Sequence, residues 1–248
     1  SYAFAMYGIT VVNIPDSVRS LGDYSFINFN LHNTLYSMYI PDTVENIGNH
    51  VAGNTECMIY CEEGGKAEKY ALDTGYPVYY VYPNTKYSDF VVSKDKTRLN
   101  AFVHLEKEIF LPEEITSCAS QAYIAGAQAT DPSHLIDFSL VEKITFTQNG
   151  QIRFLSEFTN LKTIELGDKA TQIESILDYS NANTLSSLER INISDQNQGL
   201  VEENSLILTK DRKELLFCNA REGELIIPEG TTIIPDGFIQ KANQNGGN

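Results

Sequence analysis

The chain has 248 residues, with 18 basic against 33 acidic side chains and a formal charge of −15. That balance argues against nucleic acid as a partner, because phosphate binding relies on clustered Lys and Arg, and against docking on anionic membrane surfaces. No apolar run approaches the ~20 residues of a membrane helix, and no basic, apolar, small-residue leader opens the chain.

The first element is a strand, Ile9-Thr-Val-Val-Asn-Ile14, ended by Pro15, which fixes φ and cannot donate to a ladder. Asp16 suits the turn that follows, and Val18, Leu21 and Phe26 return to the core. Gly22 is expected to supply a positive φ, as is Gly48 in the next copy. The segment 14–26 is rewritten at 40–52 and 111–123, and in shorter form at 166–173 and 227–234. Tyr2-Ala-Phe4 matches Tyr24-Ser-Phe26, and Ile239 takes the Phe26 position of the last copy. The chain is therefore expected to begin and end inside repeats and to be an excerpt of a longer one.

Further strands have the same form, Leu35-Tyr-Ser-Met-Tyr-Ile40, Leu161-Lys-Thr-Ile-Glu-Leu166 and Leu188-Glu-Arg-Ile-Asn-Ile193. The pattern Φ-x-x-Φ-x-Φ is the strand portion of a leucine-rich repeat. Strand ends fall at 14, 40, 111, 146, 166, 193 and 227, and spacings of 26, 20 and 27 residues fit one coil. The predicted fold is a leucine-rich-repeat solenoid, α/β to mainly β, a right-handed coil with a parallel sheet on its concave face, inserted β-hairpins and short helices. Wider intervals hold inserted elements. Phe90-Val-Val-Ser-Lys-Asp-Lys-Thr-Arg-Leu99 matches Leu206-Ile-Leu-Thr-Lys-Asp-Arg-Lys-Glu-Leu215 at an offset of 116 residues, so each is read as a β-hairpin produced by one duplication.

Between them, Cys61-Glu-Glu-Gly-Gly-Lys-Ala-Glu-Lys-Tyr-Ala changes character. A short helix is expected over 66–72, stopped at Gly75, followed by a strand over 77–82. The Ile-Pro-Asp-x-Val-x-x-Φ-Gly unit, with this glycine-rich segment and the Lys-Asp hairpin, resembles the BspA-like leucine-rich-repeat family of bacterial surface proteins. The motifs fade over 124–200, where Thr145-Phe146, Leu166-Gly167 and Ile193-Ser194 replace the Ile-Pro pair. In that family the glycine-rich segment often closes an array. The resemblance therefore implies repeats over 1–82 and a second array over 84–248, with a boundary at 83–86; one continuous solenoid is the alternative.

Four cysteines do not make a disulfide framework. Cys118 matches Leu21 and Cys218 matches Phe102, both core positions, while Cys57 and Cys61 are about 13 Å apart along one strand. His32, His50, His104 and His134 are isolated, and no nucleophile–base, phosphate-loop or metal-ligand pattern occurs. Asp195-Gln-Asn-Gln-Gly199 reads as a turn rather than a calcium loop. Glu62-Glu63 and Glu113-Glu114 read as solvated faces, and Asn192-Ile-Ser194, a formal glycosylation sequon, lies in a repeat strand. Neither a cofactor nor enzymatic activity is expected.

What remains is surface. Stacking would align Asn13, Tyr39, Phe110, Thr145, Glu165, Asn192 and Ile226 on the concave face, beside a row of Val11, Ser37, Glu108, Lys143, Thr163, Arg190 and Glu224. Aromatic and apolar residues placed there without a core demand suit contact with protein or glycan. Tyr39, Phe110, Thr145, Glu165, Asn192 and Ile226 are the candidate ligand-binding residues. The resemblance implies an extracellular or cell-surface, adhesin-like module that binds a host or bacterial surface protein or glycan. A structural spacer without a ligand is the alternative.

Overall fold

The computed structural model describes residues 9, 11–27, 35–53, 56–103, 105–118, 137–153, 155–177, 185, 187–218 and 224–235. The matches at Tyr2, Phe4 and Ile239, and the histidines His32, His104 and His134, lie outside these. The chain is mostly strand, with few helices and several sheets. It divides into two compact units, Ser1–His104 with Ala122–Ile136, and Leu105–Gln121 with Asp137–Asn248. No described helix is long and apolar enough to cross a membrane.

In the first unit, β1 (Val11–Asn13), β3 (Ser37–Tyr39), β5 (Met58–Cys61) and β6 (Val78–Val81) pair side by side, all parallel. The register aligns Val12 with Met38, Ile59 and Val78, so one face of every strand meets the same core. Burying each such side chain contributes roughly 1.5–3 kcal/mol. Returns on the other side of that core carry β2 (Ser20–Leu21) and β4 (Asn46–Ile47), which also pair in parallel. After β5 comes α1 (Lys66–Thr74), two residues longer than expected and capped by Gly75 at φ 82°. β7 (Phe90–Val92) and β8 (Arg98–Phe102) then add antiparallel to β6. This continuity places residues 83–86, the expected boundary, inside the first unit.

The glycine expectation is corrected. Positive φ falls on Tyr24 (55°) and His50 (49°), at equivalent places in two repeats, and not on Gly22 or Gly48. Their rings stack at 5.7 Å. Gly48 is needed for close approach instead: a Cβ there would meet the Asp23 nitrogen at 2.4 Å, whereas at Gly22 the nearest atom is 3.7 Å away.

In the second unit, β9 (Glu108–Phe110) is followed by β10 (Ser117–Cys118), β11 (Lys143–Gln148), β12 (Thr163–Lys169) and β13 (Arg190–Ile193). Strands β9, β11, β12 and β13 form a parallel sheet aligning Ile109, Ile144, Ile164 and Ile191. All four isoleucines are buried. Two buried amides tie its turns together. Gln151 accepts from the amides of Thr147 and Gln148 and donates to the Pro112 carbonyl. Asn197 accepts from Gly199 and Leu200 and donates to the carbonyls of Gly167 and Ala170. The segment 195–199 is thus a turn built around Asn197.

β14 (Leu200–Glu203), β15 (Leu206–Thr209) and β16 (Leu215–Cys218) form a separate antiparallel sheet. The duplication persists in turn geometry. Asp95 accepts from the Thr97 amide and the Ser93 hydroxyl; Asp211 accepts from the Lys213 amide and the Thr209 hydroxyl. Lys96 and Arg212 both have positive φ, at 62° and 59°. Cys218 is buried, as is its match Phe102, and Cys57 and Cys61 are buried too. Cys118 departs from expectation: it is half-buried where Leu21 is buried, since a thiol one atom beyond Cβ does not reach as far as a branched leucine.

A charged network joins α1, β6 and the first hairpin. The Glu68 carboxylate, only 8% exposed, accepts from the Gly64 amide at 2.6 Å, the Tyr80 hydroxyl at 2.6 Å and Lys94 at 2.9 Å. Glu63, read as a solvated carboxylate, accepts from the Tyr82 hydroxyl at 3.1 Å and lies within 4 Å of Lys94 and Lys96. Lys96 also stands 4.4 Å above the Tyr82 ring. The hydrogen bonds from Lys94 and Tyr80 hold the Glu68 carboxyl down to about 2.

Two outcomes follow for stability. Gly48→Ala should lower it by about 1–3 kcal/mol through overpacking, with Gly22→Ala nearly neutral, measured by chemical denaturation. Because the folded Glu68 pKa lies below the ordinary 4.5, its contribution is full above that value and is lost as pH falls towards about 2. Glu68→Gln should cost about 1–3 kcal/mol at pH 7 and flatten the stability profile across that window.

Candidate functional site

Period-two alternation sends Ile109, Ile144, Ile164 and Ile191 inward, so their neighbours must face away from the core. In the second unit the register aligns Phe110 with Thr145, Glu165 and Asn192, and aligns Glu108 with Lys143, Thr163 and Arg190. Four of the six candidate residues are therefore brought into one row. Phe110 is 64% exposed, with no apolar packing reason to stand there. Along the rows, Asn192 donates to Glu165 at 3.1 Å and Lys143 pairs with Glu108 at 2.8 Å. That hydrogen-bonded ion pair pushes the Lys143 ammonium upward. The row is a polar face with an aromatic at its β9 edge.

Ile226 does not join it. Residues 224–228 form no strand, and Ile226 is 59% exposed outside the four-stranded sheet. Its expected equivalence with Phe110 therefore holds in sequence and not in setting. Glu224, expected in the second row, is outside the sheet for the same reason.

Tyr39 lies in the first unit, in register with Asn13, Tyr60 and Tyr79. This face is less open than expected. Tyr60 and Tyr79 stack at 5.3 Å, and Tyr60, Val81, Val91 and Ala101 make a second small apolar cluster. Since β7 and β8 continue the sheet past β6, the hairpin contributes side chains to the face the parallel strands leave free. What remains is a groove of about 410 Å³. Asn13, Ser37, Tyr39 and Ser88 supply its polar groups, and valines from β1, β6 and β7 its apolar lining.

Ser37 is the residue sequence reasoning undervalued. It sits on the core-distal face, two residues from Tyr39, yet is only 4% exposed. Among the described residues its hydroxyl has no hydrogen-bond partner, and neither has the Tyr39 hydroxyl. Burial, then the nearby Glu62, Asp16, Cys61 and Asp42, pushes the Tyr39 hydroxyl up to about 12. The groove is lined by uncharged groups, with acidic residues beyond its rim. Among the described residues no group of three or more His, Cys, Asp or Glu is placed to hold a metal ion.

No protein-family model matches the chain, and no curated protein matches it significantly. Among solved structures it is similar to a leucine rich cell surface protein from Faecalibacterium prausnitzii A2-165, at 16% identity and a TM-score of 0.35. The match covers 90% of this chain and 58% of that one, less than two thirds of its length.

Proposed function

We propose that the chain is a non-catalytic, adhesin-like binding module of a cell-surface protein, built as a right-handed leucine-rich solenoid of the BspA-like kind. It contacts surface proteins or glycans through the core-distal faces of its parallel strands. The observation that carries this reading is Phe110, exposed on a face where alternation demands no apolar residue, in register with Thr145, Glu165 and Asn192. Contact surfaces of this kind draw affinity from an aromatic anchor, while surrounding charges set partner choice. The cell-surface location rests on the repeat and hairpin motifs. Carboxylates are taken up by lysines from neighbouring elements, at Glu63 and Glu68 in the first unit and at Glu108 and Glu142 in the second. Those pairs tie neighbouring elements together rather than supply acid–base chemistry.

The test is binding of the chain to immobilised matrix proteins and to a printed glycan panel. Phe110→Ala should weaken capture at least fivefold, about 1 kcal/mol, with the thermal midpoint unchanged. Ile226→Ala, outside the row, should leave capture as it was. An absence of binding to every surface tested would favour the spacer reading instead.

A further inference from the structure

We infer that the groove of the first unit receives an uncharged sugar ring of a neutral glycan, seated between Tyr39 and the β7–β8 hairpin and hydrogen-bonded by Ser37. The inference rests on the binding-module reading and names the ligand class for this part of it. Its first support is size: about 410 Å³ falls within the range of sites that enclose small ligands, roughly 300–1,000 Å³.

The second support is the unsatisfied polarity of the floor. A ligand that covers a hydroxyl without pairing it strips that group of water at a cost, so hydroxyls facing a groove favour a ligand that can bond them. Ser37 is 4% exposed and lines the groove, and its hydroxyl, open to that space, has no partner among the described residues. The exposed Asn13 amide and the half-buried Tyr39 hydroxyl, also without partners among the described residues, line the same space. Donors and acceptors therefore converge on a volume otherwise walled by Val11, Val91 and Val103. A ligand must present hydroxyls on its edge and C–H groups on its face, and a pyranose ring does both. A purely apolar side chain would fill the volume and leave Ser37 buried and unpaired.

Charge decides among polar ligands. No charged side chain lines the groove, so a lysine or arginine side chain would find no partner carboxylate inside it. Asp16, Asp42 and Glu62 act electrostatically on Tyr39 from nearby and would repel a carboxylated or sulfated sugar. Neutral hexoses and N-acetylhexosamines remain.

The experiment titrates the 248-residue chain with neutral gluco-, galacto- and N-acetylglucosamine oligosaccharides, with sialylated counterparts and with a Lys-rich peptide. At least one neutral series should bind, and its sialylated form should bind at least tenfold more weakly. Ser37→Ala and Tyr39→Phe should each reduce that affinity at least fivefold. The thermal midpoint should hold in both, since neither hydroxyl has a partner to lose among the described residues. Leu140→Ala, an exposed residue of the other unit outside both candidate faces, should leave glycan affinity unchanged. Preference for the sialylated sugars or the peptide, or neutral-sugar binding indifferent to Ser37 and Tyr39, would overturn the inference. Capture of matrix protein through Phe110 without any sugar binding would defeat the sugar assignment alone. Binding of nothing would defeat both readings.

Discussion

Each parallel strand described in this protein depends on the same constraint: its inward side chains can be buried only if the next strand stands in register beside it. Val12, Met38, Ile59 and Val78 satisfy it in one unit, and Ile109, Ile144, Ile164 and Ile191 in the other. Side chains alternate across a strand, so a slip of one residue would turn an entire row of isoleucines to water. Fixing the inward row fixes the outward one as well. Phe110, Thr145, Glu165 and Asn192 stand in line because their neighbours are buried, whatever use the surface has for them.

That coupling explains which parts were legible in the sequence. Strands around 11–13, 37–39, 163–166 and 190–193 announce themselves by apolar spacing that only a paired strand can use. The hairpins were legible because two copies repeat the same turn, with Asp95 and Asp211 accepting from the backbone in the same way. Contacts between residues far apart in sequence were not. Nothing near Gly48 says that its α-carbon presses on Asp23, or that positive φ is carried by Tyr24 and His50. Glu68 looks like an ordinary helix carboxylate until Tyr80 and Lys94 are placed around it. Gln151 and Asn197, in polar stretches, gave no sign of being buried. Each became visible only through the carbonyls it ties together.

The candidate site was partly legible for the same reason. Alternation placed Tyr39 and the four aligned residues of the second unit on the right face. It could not say what else would stand over that face. Tyr60 continues the Tyr39 row and is buried there, which the assumption of an open sheet did not allow. Ile226 failed in the opposite direction. A matching motif does not make a strand unless a neighbour supplies the ladder, and the segment 224–228 has none among the described residues.

The duplication sharpens this point. One hairpin sequence occurs twice with the same turn, yet its two settings differ. In the first unit β7 pairs with β6, the last of four parallel strands, so the hairpin extends the sheet that carries Tyr39. In the second, β15 pairs with β14, and the three strands close on themselves around Leu206, Leu208, Leu215 and Cys218. The difference lies in the strand offered to the hairpin, not in the hairpin. Both hairpins pair antiparallel with the strand before them, but β6 also pairs with β5 and so joins the hairpin to the repeat sheet, whereas β14 is the edge of a sheet of three. The groove with its buried Ser37 therefore forms in one copy, since only there does the inserted hairpin share a sheet with the repeat strands.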